Sequence, residues 1–124
     1  MPELPEILML AYLGDAVIEL YVREHLISSG LLSPAECNEK ALDFVTATRQ
    51  SEALKNILPL LTEEEEGIFR RGKNAKPRSL PRNVKSYIYH LATGFEALFG
   101  YNHYLGRDSR NLELFRIAYG IRGE

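Results

Sequence analysis

The chain has 124 residues, 45% of them hydrophobic and 26% charged, with a formal net charge of −2. These are the proportions of an ordinary globular domain, which excludes a disordered or fibrous chain, and the length leaves room for one core spanning residues 1–124 and no second module. The longest apolar stretch, Ile7–Gly14, falls far short of the roughly 20 residues a membrane helix needs, and the acidic start with Glu3 and Glu6 is unlike a secretory signal.

Apolar residues recur at helical spacing nearly everywhere, with no sustained strand-like alternation, so the expected class is all-α with about six helices. A first helix is predicted from Pro5 to Ser28, ending near Gly30. A second starts at Ser33-Pro34-Ala35-Glu36, where serine suits the cap, proline the first helical position and glutamate the third. It breaks around Thr46–Thr48, and a further helix covers Arg49 to Leu58, before Pro59. Thr62 caps a short helix whose first turn holds Glu63, Glu64 and Glu65 and whose last holds Arg70 and Arg71, an order that suits the helix dipole at both ends. Gly72 to Asn83, with Pro77 and Pro81, reads as loop. Asn83 is placed to cap a long helix from Val84 to about Leu105; Gly106 ends it, and Asp108 caps a last helix, Ser109 to Tyr119.

The charge is unevenly spread. Residues 1–69 hold 4 Lys/Arg against 13 Asp/Glu, a net of −9, whereas residues 70–85 hold seven cations (Arg70, Arg71, Lys73, Lys76, Arg78, Arg82 and Lys85) and no acid. A cationic loop running into a helix start is the footprint expected for a phosphate backbone. A solubilising loop that balances Glu63–Glu66 accounts for the same charges. The segment is no P-loop, because Arg71-Gly72-Lys73 lacks the upstream glycine. It also lacks aromatics for stacking single-stranded bases, which favours a duplex.

Two isolated carboxylates stand out. The first helix is apolar almost all round, which is the pattern of a central, buried helix. It nevertheless carries Asp15, Glu19 and Arg23 in one strip. Glu19 and Arg23 read as a self-paired surface couple, but Asp15 follows Gly14 in the middle of the apolar run, where a carboxylate is costly unless it is paired or binds a metal. Between Gly67 and Arg107 the only acid is Glu96, on a helix whose Gly94, Ala97 and Gly100 would let another helix come close. Two such helices can pack so that Asp15 and Glu96 face each other, and the pair would repel unless a proton or cation lay between. Mg²⁺ suits this arrangement, because it takes one or two carboxylates and keeps water and phosphate as its other ligands. His25, His90 and His103 show no zinc-ligand spacing with Cys37, which reads as a small buried residue. A lone cysteine forms no internal disulfide, in keeping with a reducing cytoplasm. Glu63–Glu66 are consecutive, so they splay around their helix and read as a solvated first turn.

At Leu10-Ala11-Tyr12-Leu13-Gly14-Asp15-Ala16-Val17 the chain resembles the signature of the ribonuclease III family, roughly Leu-Glu-Phe-Leu-Gly-Asp-Ala/Ser. Thr93-Gly94-Phe95-Glu96-Ala97-Leu98-Phe99-Gly100 resembles the family's second motif, Asp-x-x-Glu-Ala-Leu-(Ile)-Gly. Two family acids are missing, with Ala11 and Thr93 in their places. A reduced pair without an RNA-binding appendage resembles the Mini-ribonuclease III subfamily, as does Glu63–Glu66 followed by Arg70-Arg71-Gly72-Lys73-Asn74-Ala75-Lys76.

The resemblance implies a homodimer, Mg²⁺-dependent cleavage of double-stranded RNA to 5′-phosphate and 3′-hydroxyl ends, and maturation of the 5′ and 3′ ends of the 23S ribosomal RNA precursor, with a ribosomal protein as a potential helper. It carries Asp15 and Glu96 over as the catalytic, metal-binding pair, and the cationic segment makes Lys73, Asn74, Lys76, Arg78, Arg82 and Lys85 the expected duplex contacts. Two other readings remain open from the residues: a catalytically silent helical module that binds structured RNA, and a protein-interaction bundle with a solubilising basic loop.

Overall fold

The helical spacing becomes six α-helices in the structure, a computed structural model that describes residues 3–76 and 85–121. The long ones are α1 (Ile7–Ser28) and α5 (Ser86–Tyr104); α2 (Pro34–Val45), α3 (Ala47–Ile57), α4 (Glu63–Asn74) and α6 (Asp108–Ala118) are shorter, and a 3-10 turn, Leu58–Leu60, follows α3. No strand occurs among the described residues, so the all-α expectation holds. None of the described helices is long and apolar enough to cross a membrane.

Local chemistry sets most of the boundaries. Ser33 caps α2 by accepting from the Glu36 amide, and Thr46 caps α3 by accepting from the Arg49 amide. The break between those helices is therefore a single residue, narrower than the Thr46–Thr48 expected. Thr62 and Glu65 form a reciprocal capping box at the start of α4. Gly106 has φ of +76°, and the Gly106 and Arg107 amides close back onto the His103 and Asn102 carbonyls, a termination that favours glycine.

Other boundaries also differ from the sequence reading: α1 begins at Ile7 rather than Pro5, α3 ends at Ile57 rather than Leu58 and α6 ends at Ala118 rather than Tyr119. Gly72, Lys73 and Asn74, expected in the loop, form the last turn of α4. Glycine is tolerated in that turn because it lets α4 settle on α5: a Cβ on Gly72 would lie 2.8 Å from Ala97 Cβ and 2.9 Å from Gly94 Cα. α5 begins at Ser86, with Lys85 before it, whereas the expected cap, Asn83, lies outside the described residues. Asp108 is the first residue of α6 rather than its cap, and its carboxylate meets His103 at 2.8 Å instead.

α5 is the hub on which α1, α3, α4 and α6 all pack. The main core joins Ile18 and Val22 of α1, Leu54 and Ile57 of α3, Phe95, Leu98 and Phe99 of α5 and Leu114 of α6, all essentially sealed from solvent. Each such side chain contributes about 1.5–3 kcal/mol. A second cluster under α4 comprises Leu10, Ala11, Ile68, Ala97 and Tyr101. α1 is buried on one side only, contrary to the all-round burial its apolar pattern predicts. Met9, Tyr12, Leu20 and Ile27 stand exposed, Tyr12 by 75%, because α2, α4, α5 and α6 all approach from the opposite side.

Candidate active site

The site begins with two glycines. A Cβ on Gly14 would lie 1.7 Å from the Glu96 carbonyl oxygen, and one on Gly100 would lie 1.8 Å from the Leu10 carbonyl oxygen. α1 and α5 therefore cross with their backbones touching, and the crossing falls directly beside Asp15 and at Glu96. Side-chain positions on the two helices follow from that contact, and the carboxyl groups of Asp15 and Glu96 are brought into hydrogen-bonding contact.

The two acids sit in different environments. Asp15 is exposed and Glu96 is half-buried. Burial above all, then the negative Asp15 beside it and a hydrogen bond donated to Asp15, together push the Glu96 carboxyl up to about 8, against the Gln50 amide, which works in the other direction. In neutral solution this environment favours the protonated form of Glu96. A cation can replace that proton. The donors are hard carboxylate oxygens, with no imidazole or thiolate joining them among the described residues, a set that fits Mg²⁺ better than zinc.

Neighbouring groups add no third acid. Among the described residues, no three His, Cys, Asp or Glu side chains converge on one point. Glu19 is paired with Arg23 at 3.4 Å, as its spacing predicts. Ala11 is buried in the α4 cluster, and Thr93 is buried with its hydroxyl donating to the Tyr89 carbonyl one turn back. Both positions that lack the family acids are thus occupied by small groups whose needs are met locally. Cys37 is half-buried against the main core.

The described part of the basic segment lies at the end of α4 and the start of α5. Arg70 pairs with Glu66, and the Lys73 ammonium lies 5.8 Å from the Phe69 ring centre. Asn74, Lys76 and Lys85 are exposed. Gly72 and Gly94 pin the α4 terminus to the helix that carries Glu96. Arg78 and Arg82 lie outside the described residues.

Two groups escaped the sequence reading. Gln50 on α3 is 2% exposed and lies against Glu96. Its signal was a polar residue on the face that carries Ala53, Leu54 and Ile57, the apolar face of a short helix. The second is the first turn of α4, which is only partly solvated. Glu65 is 2% exposed and accepts from Arg110 (2.7 and 2.9 Å) and Asn102 (3.1 Å), and Glu64 accepts from Tyr101 and Arg107. Hydrogen bonds from Arg110, the Thr62 amide and Asn102 outweigh burial and hold the Glu65 carboxyl down at about 2. The cations that recruit these acids sit some 45 residues away, on and just before α6. Spacing within the Glu63–Glu66 run carries no trace of them.

Comparison with known proteins bears on the same residues. The ribonuclease III domain model matches residues 8–106, a span that contains both acids. The chain is 41% identical over 111 residues to the Mini-ribonuclease 3 of Symbiobacterium thermophilum, covering 90% of this chain and 85% of that one. It is 40% identical over 120 residues to the Mini-ribonuclease 3 of Brevibacillus brevis, covering 97% and 90%. A crystal structure of a Fusobacterium nucleatum protein superposes with a TM-score of 0.81 at 32% identity, covering 90% of this chain and 89% of that one. With the helical fold, the matched span and these relatives in agreement, the chain belongs to the ribonuclease III family, in its Mini-ribonuclease 3 branch, and is an endoribonuclease.

Proposed function

We propose that this endoribonuclease cleaves double-stranded RNA with Mg²⁺ held by Asp15 and Glu96, and that it matures the 5′ and 3′ ends of the 23S ribosomal RNA precursor in the cytoplasm. The observation that carries the reading is the contact between an exposed and a half-buried carboxylate at a backbone-to-backbone helix crossing. The 23S substrate rests on the motif resemblance. When bound, Mg²⁺ supplies the charge that polarises the scissile phosphate and makes a water acidic enough to attack it. Asp15, at the surface, is the carboxylate within reach of a phosphate backbone; Glu96, beneath it, anchors the second ligand position on the rigid hub helix. Loss of the Glu96 proton prepares the pair for the cation.

Lys73, Asn74, Lys76 and Lys85, continued by Arg78 and Arg82, hold the duplex through its phosphates, giving affinity with little sequence choice. The exposed apolar strip Met9, Tyr12 and Leu20 on α1 is the surface through which two copies associate, which sets two acid pairs on one duplex.

The deciding experiment is cleavage of a long double-stranded RNA by the wild type with and without Mg²⁺, and by Asp15→Asn with Mg²⁺. Cutting by the wild type in Mg²⁺ alone is the expected result, with 5′-phosphate and 3′-hydroxyl ends. Cutting that survives the loss of Asp15 would place the chemistry elsewhere.

A further inference from the structure

A buried amide with no purpose in the core stands beside the acid pair. Gln50 projects from the apolar face of α3 and is 2% exposed, and its Nε2 is sealed from solvent without completing a hydrogen bond. Leaving a buried amide unmet costs about 1–3 kcal/mol, and an apolar side chain of the same shape avoids that cost. Stability alone would therefore favour Leu or Met at this position. The carboxyl that Gln50 lies against is Glu96, on the helix that α3 packs on.

Glu96 has two oxygens. One must face Asp15 for the two acids to hold a cation together, and the other then needs a donor, because a buried carboxylate oxygen left bare is itself costly. The unpartnered Nε2 of Gln50 is a neutral donor able to meet that need; a lysine or arginine there would oppose the cation with its own charge. α3 packs on α5, and Thr46 caps α3 four residues before Gln50, so the amide is carried by a fixed element.

We propose that Gln50 is a positioning residue: its Nε2 donates to the Glu96 oxygen turned away from Asp15 and so holds the Glu96 carboxylate oriented for a divalent cation. This rests on the acid pair being the metal site. Outer partners of this kind typically set metal affinity by about tenfold or more.

The test uses the full chain and Mn²⁺ as the probe, with binding measured by calorimetry or by the loss of the free-ion paramagnetic resonance signal. Wild type, Gln50→Met, Gln50→Leu and Glu96→Gln are compared. Both Gln50 variants are expected to be at least as stable as the wild type to heat and to bind Mn²⁺ about tenfold more weakly. Their cleavage rate should fall at limiting Mg²⁺ and recover at saturating Mg²⁺, with KM for RNA unchanged. Wild-type Mn²⁺ affinity in a folded Gln50 variant would overturn the proposal, as would failure of both variants to fold, which would make the amide structural. Equal binding by wild type and Glu96→Gln would instead overturn the acid-pair reading, and this proposal with it.

Discussion

Glu96 is a carboxyl whose folded environment works against its charge. An unfolded glutamate titrates near 4.5 and the folded Glu96 near 8, so between those values the native state holds a proton that the unfolded chain releases. Raising pH through that window therefore removes stability from the metal-free protein, by roughly 3–5 kcal/mol at most. Denaturant titrations of wild type and Glu96→Gln across the window check this. The variant should show a flatter profile and exceed the wild type at the alkaline end, and parallel profiles would contradict the environment described. Glu65 behaves in the opposite sense. Its folded value of about 2 lies below the ordinary 4.5, so its contribution is present above 4.5 and is lost as pH falls toward 2. Arg110→Ala leaves that carboxylate buried without its cation, and a loss of about 3 kcal/mol or more is expected at neutral pH, read as a fall in melting temperature.

At the scale of the helices, the crossing of α1 and α5 sets the geometry of the site. The carbonyls that meet Gly14 and Gly100 are backbone, so they cannot swing aside for a methyl group, and the helices would have to separate. Gly100→Ala is therefore expected to cost about 3 kcal/mol or more and to reduce cleavage by drawing Glu96 away from Asp15. Gly67, on α4, is the contrasting case, because a Cβ there meets nothing within 4 Å. Gly67→Ala should raise stability by about 0.5–1 kcal/mol through helix propensity alone. Thermal melts of the two variants separate close approach from mere helical glycine, and equal effects would contradict the crossing.

At the scale of the whole molecule, an acidic body carries a cationic segment at one end of α4, next to the helix that bears Glu96. If the duplex is held there, replacing Lys73 and Lys76 together by Gln should weaken RNA binding and flatten the dependence of log K on log salt, by close to one for each phosphate no longer neutralised. An unchanged slope would move the duplex to another face. Membership in an enzymatic family answers the alternative of a silent helical module, which the charge pattern by itself left open.

What the sequence determined alone was whatever depends on neighbours within a few turns. Capping residues at Ser33 and Thr62, the Gly106 stop, the Glu19–Arg23 pair and the isolation of Asp15 and Glu96 on apolar helices are all local patterns, and local hydrogen bonding and periodicity enforce them in any fold. Small residues at Gly94, Ala97 and Gly100 also announced a close helix contact, to which the structure adds Gly14. Tertiary structure decided which partners distant residues find. The choice of Glu65 for Arg110, the inclusion of Gly72–Asn74 in α4, the exposed strip on α1 and the buried Gln50 amide against Glu96 all depend on which helix lands on which. Burial is a property of packed surfaces, and a residue's own stretch of chain does not contain the surface that will cover it.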